Sequence, residues 1–398
     1  MKLEATIQKN GTILQAELYR SVFTAYPGFS PPEDDILTPE LVYQTTRPGD
    51  WLPMPTPADD EMYLLGLVYP IINGIFSARI THSGNCTVEF GSLENDVFVP
   101  RKRINPTSAV RFTESLLFSD YDDPIFDGAH QYFVRIKGNV SEIELLKESD
   151  NAMPNNIVDI ICGMEVYLVC GTTSAPNKCL QSLRYLNYVG NGRPTAVSGC
   201  FAWLKSLMSV RCDAPPRHYQ AYYVFTYNTS LRAVSPNFLG TGNRSVGMSF
   251  PNTGLTNLHM LGYATDIDGA FTGSALSVFS TQTINTQYAK NMSRAFYDCY
   301  VLRQVTGLDI TSATNVTNMF KYCFNLSRLL FAGETTTGGW TIDLTTTALN
   351  HNALVEMIAS LPTATAAATI TITGLPGASE LTDAEIAVAT AKNWTITR

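Results

Sequence analysis

Charge is scarce in this chain. Asp, Glu, Lys and Arg together make up only 16% of its 398 residues, and the formal net charge is −8. An isoelectric point near 5.2 leaves no basic surface for a phosphate backbone, which excludes nucleic acid as the main partner. Long apolar runs are also missing: nothing approaches the ~18 uninterrupted apolar residues of a membrane span. The opening Met1–Gly11 has no apolar core of the kind an export signal needs, so secretion by that route is not expected. Without it, glycosylation sequons such as those at Asn228 and Asn315 carry no meaning.

Catalytic and metal-binding patterns are equally thin. The eight cysteines form no C-x-x-C pair and no metal-ligand spacing. The five histidines (82, 130, 218, 259 and 351) are scattered, with no HExxH or H-x-H. No Gly-x-Ser-x-Gly, P-loop or Rossmann pattern is present. The expectation is a protein that is not an enzyme and has no metal or cofactor.

What the chain does have is a recurrence. Met292-Ser-Arg-Ala-Phe296-Tyr-Asp-Cys299-Tyr-Val-Leu302 aligns without a gap on Val316-Thr-Asn-Met-Phe320-Lys-Tyr-Cys323-Phe-Asn-Leu326. Upstream, Phe271, Phe250, Phe225 and Phe201 fall 25, 21, 25 and 24 residues before one another. Leu231 and Val234 after Phe225, and Leu207 and Val210 after Phe201, keep the apolar positions six and nine residues on. The Phe250 and Phe271 copies fit more loosely. A period near 24 implies a solenoid, because one such unit cannot bury its own apolar face.

Within a unit, Met292, Ala295, Phe296 and Cys299 fall at i, i+3, i+4 and i+7, which predicts a short helix. Leu308 and Ile310 then alternate as on a strand. Cys299 and Cys323 occupy equivalent apolar positions and read as small core residues, with a disulfide or metal role as the other option. The Met-Phe-x-x-Cys-x-x-Leu pattern resembles the BspA-type leucine-rich repeats of bacterial surface proteins and of tailed-phage virion proteins.

From the start, Leu3, Ala5 and Ile7 alternate up to the Asn10-Gly11 turn, and Ile13–Leu18 return: a hairpin. It either begins the first domain or pairs with a neighbouring protein. Eight of the 21 prolines lie between Pro27 and Pro57, which predicts an extended connector. Arg47-Pro-Gly-Asp-Trp51-Leu-Pro resembles an "RPxDWLxLP" module preceding a small β domain in phage tail and fibre proteins. Gly84-Asn-Cys86-Thr-Val-Glu-Phe90-Gly91 is similar to that module's "GxYTVxWG" strand, with Cys86 and Phe90 replacing the usual aromatics.

Seven β-rich runs follow: 63–69, 75–81, 87–90, 109–112, 132–137, 142–146 and 166–170. Turn residues separate them, which suggests a β-sandwich-like module. Residues 156–179 read as a transition, and 180–189 as a first degenerate repeat. At the other end, Leu354, Met357, Ile358 and Leu361 mark a helix ended by Pro362. Thr369–Thr373 alternates as a strand, Thr382-Asp-Ala-Glu385 is a capping box, and Trp394–Ile396 reads as a last strand. An atypical unit of this kind covers the open end of a solenoid. Its ending resembles the C-terminus of many phage repeat proteins.

The expected fold is therefore mixed but mainly β: an N-terminal all-β, sandwich-like domain followed by a leucine-rich-repeat-like solenoid with a terminal cap. The expected division is 1–57 attachment arm, 58–175 β domain, 176–345 solenoid and 346–398 cap.

Few residues suggest chemistry. Asp120, Asp122 and Asp123 form either a carboxylate or calcium cluster or a solvated turn. Asp266 and Asp268 precede a repeat and suit a helix N-terminus. Arg101-Lys-Arg103 reads as a solvated basic run. For binding, Tyr219, Tyr223 and Tyr227 surround the core Phe225, and exposed tyrosines can stack on sugars or anchor a protein interface. Packing between coils is the competing explanation.

The resemblances imply a virion structural protein of a tailed phage, in a tail-fibre, appendage or adaptor position. Other virion proteins would bind its N-terminal arm, and the solenoid would contact a host-surface glycan or protein. A homo-oligomer, for which a trimer is one arrangement, would make weak sites avid. No nucleic-acid or membrane partner is expected. A bacterial surface adhesin and a fibre-borne polysaccharide depolymerase are the alternatives.

Overall fold

The computed structural model describes residues 2–9, 12–19, 42–43, 47–70, 74–121, 125–126, 128–147, 156–195, 197–217, 222–239 and 243–398. Residues 1–35 and 36–398 form separate compact units. In the first, β1 (Lys2–Lys9) and β2 (Thr12–Tyr19) pair antiparallel as the alternation predicts, Lys9 opposite Thr12. Most of the proline-rich stretch lies outside the described residues.

In the second unit, β3 (Glu61–Val68) is central, and all eight of its residues are buried. Such a strand needs cover on both faces. Met62, Leu64 and Val68 face the main core, while Tyr63, Leu65 and Leu67 face a smaller cluster with Trp51, Phe133 and Tyr185. Gly66 is required because the Tyr132 ring lies where a Cβ would stand.

The strands that follow are β4 (Gly74–Glu94), β5 (Val97–Ile104), β6 (Arg111–Leu116), β7 (Ile125–Phe126), β8 (Ala129–Glu144), β9 (Ile157–Cys162) and β10 (Glu165–Val169). Two pairs of the expected runs merge. Ser83-Gly84-Asn85 interrupts the apolar pattern of β4 but not its backbone, which continues through a shift in register against β8. Gly138, at φ 135°, does the same inside β8. The basic run Arg101–Arg103 lies in β5, which pairs only with β4; Pro100 is tolerated on such an edge.

These strands belong to one hydrogen-bonded sheet that runs into the solenoid. β3 pairs antiparallel with β8 on one side and with β9 on the other. β9 then starts a parallel ladder with β11 (Tyr185–Tyr188), followed past β12 (Arg193–Pro194) by β13 (Ser209–Cys212) and β14 (Ala233–Val234). The segment 156–179, read as a transition, thus contains the first rung.

About nine turns of solenoid make up the C-terminal region. Later rungs are β15 (Asn243–Ser245) with β16 (Tyr263–Asp266), and β17 (Val278–Phe279), β18 (Gln304–Asp309) and β19 (Arg328–Ala332) in parallel order. Phe201, Phe225, Phe250, Phe271, Phe296 and Phe320 are all buried and form one stack. Their successive centroids are 6.1, 5.8, 5.8, 5.6 and 5.4 Å apart. Each buried ring contributes roughly 1.5–3 kcal/mol.

The helix expected in each unit is absent. Met292–Ala295 and Phe296–Cys299 are instead consecutive turns closed by Ala295 N–H to Met292 O and Cys299 N–H to Phe296 O. Their third residues, Arg294 and Asp298, have φ of 54° and 60°, which no right-handed helix admits. The amides of Met292, Arg294, Phe296 and Asp298 are thereby freed to donate to residues 315, 317, 319 and 321 of the next coil. Spacing of i, i+3, i+4 and i+7 fits two such turns as well as a helix, because both return the same side to the core.

The described residues contain two α-helices, α1 (His351–Ser360) and α2 (Asp383–Ala391), both in the terminal unit. The Thr382/Glu385 capping box is formed. Trp394 is buried, and its indole N–H donates to Pro362 O at 2.7 Å.

Candidate functional site

The turn face of the solenoid is built by rule. Two residues before and two after each stacked Phe, the backbone takes a left-handed conformation. Before it these are Gly199, Tyr223, Met248, Gly269, Arg294 and Asn318; after it, Trp203, Tyr227, Asn252, Gly273, Asp298 and Tyr322. An L-residue there costs roughly 1 kcal/mol or more unless it is Gly or Asn. Several coils nonetheless place a bulky aromatic at such a position.

Tyr223 and Tyr227 among them are solvent-facing, whereas Trp203 is half-buried against the core. Tyr223 is 42% exposed and Tyr227 38%. Tyr227 stacks on Trp203 with centroids 4.0 Å apart, and the Lys205 ammonium sits 5.6 Å from the Trp203 ring. Tyr219 lies outside the described residues. Sequence reasoning missed Trp203, whose position two residues after Phe201 matches that of Tyr227 after Phe225.

A second aromatic group lies further along. Tyr300 and Phe324 stack at 6.0 Å with planes 11° apart, and both are about half exposed. Tyr322 lies tilted against Phe324, 5.9 Å away, and Tyr297 packs edge-on against Tyr322. Between the two groups, the coils of Phe250 and Phe271 carry no ring at these positions: Asn252 and Gly273 stand two residues after the Phe, and Gly254 and Ala275 four after it. The result is an open trough of about 500 Å³, lined among others by Thr229, Arg232, Asn252, Thr256 and Tyr300.

No family model matches the chain, and neither a curated protein nor a solved structure matches it.

The other candidates are engaged in structural contacts. Asp266 accepts the Asp268 amide at 2.9 Å and the Tyr222 hydroxyl at 3.1 Å. Asp268 accepts from Ser293 Oγ and Arg294. Asn291 and Asn315 close the same turn one and two coils on, so the position is a turn device. There is no helix start for these carboxylates to favour. Asp120 is exposed and Asp122 and Asp123 lie outside the described residues. Lys102 and Arg103 pair with Glu114 and Glu89. His351 bonds Glu385 at 3.2 Å, joining the two terminal helices. Among the described residues no cluster of His, Cys, Asp or Glu could hold a metal, and no helix is long and apolar enough to cross a membrane.

All eight cysteines are buried, and no two of them are joined in a disulfide. Cys299 and Cys323 donate to the Phe271 and Phe296 carbonyls of the preceding coil, both at 2.9 Å. Asn228 fills the same position, three residues after its stacked Phe and five before its rung, and donates to Phe201 O. Burial pushes the Cys299 thiol up to about 12, so it stays a donor.

The Arg47–Leu52 motif also has a visible role. Arg47 pairs with buried Asp159 at 3.0 Å and donates to the Trp51 and Leu52 carbonyls. Gln131 donates to Asp50 O and accepts from the Leu52 amide. Trp51 packs edge-on against Tyr185, 5.9 Å away. This end of the proline-rich stretch is clamped onto the sheet and is not an open connector.

Proposed function

We propose that this chain is a non-enzymatic structural and recognition protein of a tailed-phage particle, in a tail-fibre, appendage or adaptor position. The solenoid's turn face contacts a host-surface glycan or protein, and a homo-oligomer makes weak sites avid. The N-terminal hairpin and arm attach to other virion proteins. The repeats are of BspA type, and residues 58–175 are a sandwich-like spacer.

One observation carries the binding part of this reading. Trp203, Tyr223 and Tyr227 stand at left-handed backbone positions, where Gly or Asn would serve the fold better; Tyr223 and Tyr227 face solvent, and Trp203, half-buried, backs Tyr227. Large exposed rings held rigidly by the backbone suit sugar stacking or an interface anchor. The virion part is supported by the sequence resemblances at Arg47–Pro53, at the repeats and at the terminal unit.

Immunogold labelling of purified phage particles, with an antibody against the chain, tests it. Gold on fibres or tail tips supports the proposal; bacterial-surface labelling with unlabelled particles points to an adhesin and overturns it.

A further inference from the structure

We infer that the trough between the two aromatic groups binds an acidic oligosaccharide, with one sugar stacked on Tyr300 and a carboxylate held by Arg232. This rests on the recognition reading above.

The columns of the solenoid define the geometry. Four residues after each stacked Phe come Lys205, Thr229, Gly254, Ala275, Tyr300 and Phe324 in successive coils. Phe324 covers one face of the Tyr300 ring. On the other side the column offers only the Ala275 methyl and then Gly254. That ring face therefore looks along the solenoid over a low floor, which is the arrangement that stacks a sugar ring. The Tyr300 hydroxyl donates to Asp298 at 3.1 Å, which fixes the ring in its plane.

Arg232 closes the other end. Its Nη1 donates to the carbonyls of Thr229 at 3.2 Å, Leu231 at 3.3 Å and Gly254 at 2.9 Å. The guanidinium lies where a Cβ at residue 254 would stand, so the glycine is what lets it lie down on the floor. Among the described residues Arg232 has no carboxylate partner, and none of the residues lining the trough is acidic. Nε and Nη2 remain to donate, the fork that suits a carboxylate.

From the Gly254 coil to the Tyr300 coil are two steps of ~4.8 Å, or roughly 10 Å. That separation accommodates one sugar on Tyr300 and an adjoining uronic or similarly acidic sugar at Arg232. The hydroxyls of Thr229 and Thr256 and the Asn252 amide stand along the way.

The test uses the full chain on an array of bacterial envelope oligosaccharides bearing uronic acids, beside their carboxyl-reduced counterparts. The expected result is binding to acidic members that weakens at least tenfold on carboxyl reduction. Arg232→Gln should lose the same tenfold for acidic ligands only, while Tyr300→Ala and Ala275→Trp lose both. Circular dichroism checks that each variant is folded. Equal binding of acidic and reduced sugars, no sugar binding, or unchanged binding by Ala275→Trp would overturn the assignment. If Ala275→Trp still attaches to whole cells, only the trough assignment falls. If the unaltered chain attaches to no cell, the recognition reading falls as well.

Discussion

Trp203 and Tyr227 lie face to face, ring centroids 4.0 Å apart, and both are held at positive φ, 62° in each case. The backbone repeats its left-handed step coil after coil, so side chains two residues past the stacked Phe are brought into one column. The Phe stack keeps the coils in register, and the outer column inherits that register. Replacing Tyr227 by Gly should leave stability within about 1 kcal/mol of the original, since relieved backbone strain offsets the lost stacking. Urea unfolding checks this; a loss beyond about 3 kcal/mol would show the ring to be a core element.

The thiols test the hydrogen-bond argument. Cys323 donates to Phe296 O inside the core, where burial raises its pKa strongly and keeps the proton on sulfur. Cys323→Ser retains a donor, whereas Cys323→Ala leaves the Phe296 carbonyl with the Cys299 amide as its remaining partner. The alanine variant should be less stable than the serine variant by about 1 kcal/mol in denaturant midpoints. The reverse order would mean that the sulfur acts through packing alone.

Asp159 gives a pH dependence. Burial raises its pKa from 3.8 to about 6, opposed by the Arg47 charge. A raised acid favours the folded state while protonated, so this contribution is present below pH 4 and is lost as pH rises through 6. The shift corresponds to roughly 3 kcal/mol at most. Relative to the parent, Asp159→Asn should therefore gain stability between pH 4 and 7, by an amount of that order. Unfolding curves at several pH values would show it. A constant difference across that range would mean that Arg47 holds Asp159 ionised throughout.

Trp394 closes the terminal unit, with Trp340 5.5 Å away and its indole bonded to Pro362. Trp394→Ala should cost roughly 3–5 kcal/mol. Calorimetry would register the loss, and a midpoint unchanged from the parent would mean that the cap folds independently of the coils.

The solenoid was legible in the spacing of six phenylalanines, because stacked coils force one large core residue per turn. The terminal unit was legible too, since Thr382 and Glu385 cap a helix by local bonds alone. The repeat's backbone was not: apolar spacing in Met292–Cys299 is common to a helix and to paired turns, and only the positive φ at Arg294 and Asp298 separates them. The continuity of β4 past Gly84 was hidden by three polar residues. On the turn face, Tyr223 and Tyr227 stood out as a local tyrosine cluster, but Trp203 and Tyr300 belong to it only through the register of neighbouring coils. The trough between them arises from small residues, Gly254, Gly273 and Ala275, whose meaning depends on what stands on either side.

The most direct test is surface plasmon resonance of the chain on immobilised envelope polysaccharides from a panel of bacterial strains, with a Tyr227→Gly/Tyr300→Ala double variant that matches the parent's unfolding midpoint. Saturable binding to at least one polysaccharide, weakened tenfold or more in the variant, is the predicted result. Equal binding by both proteins, or none by the parent, would contradict the account.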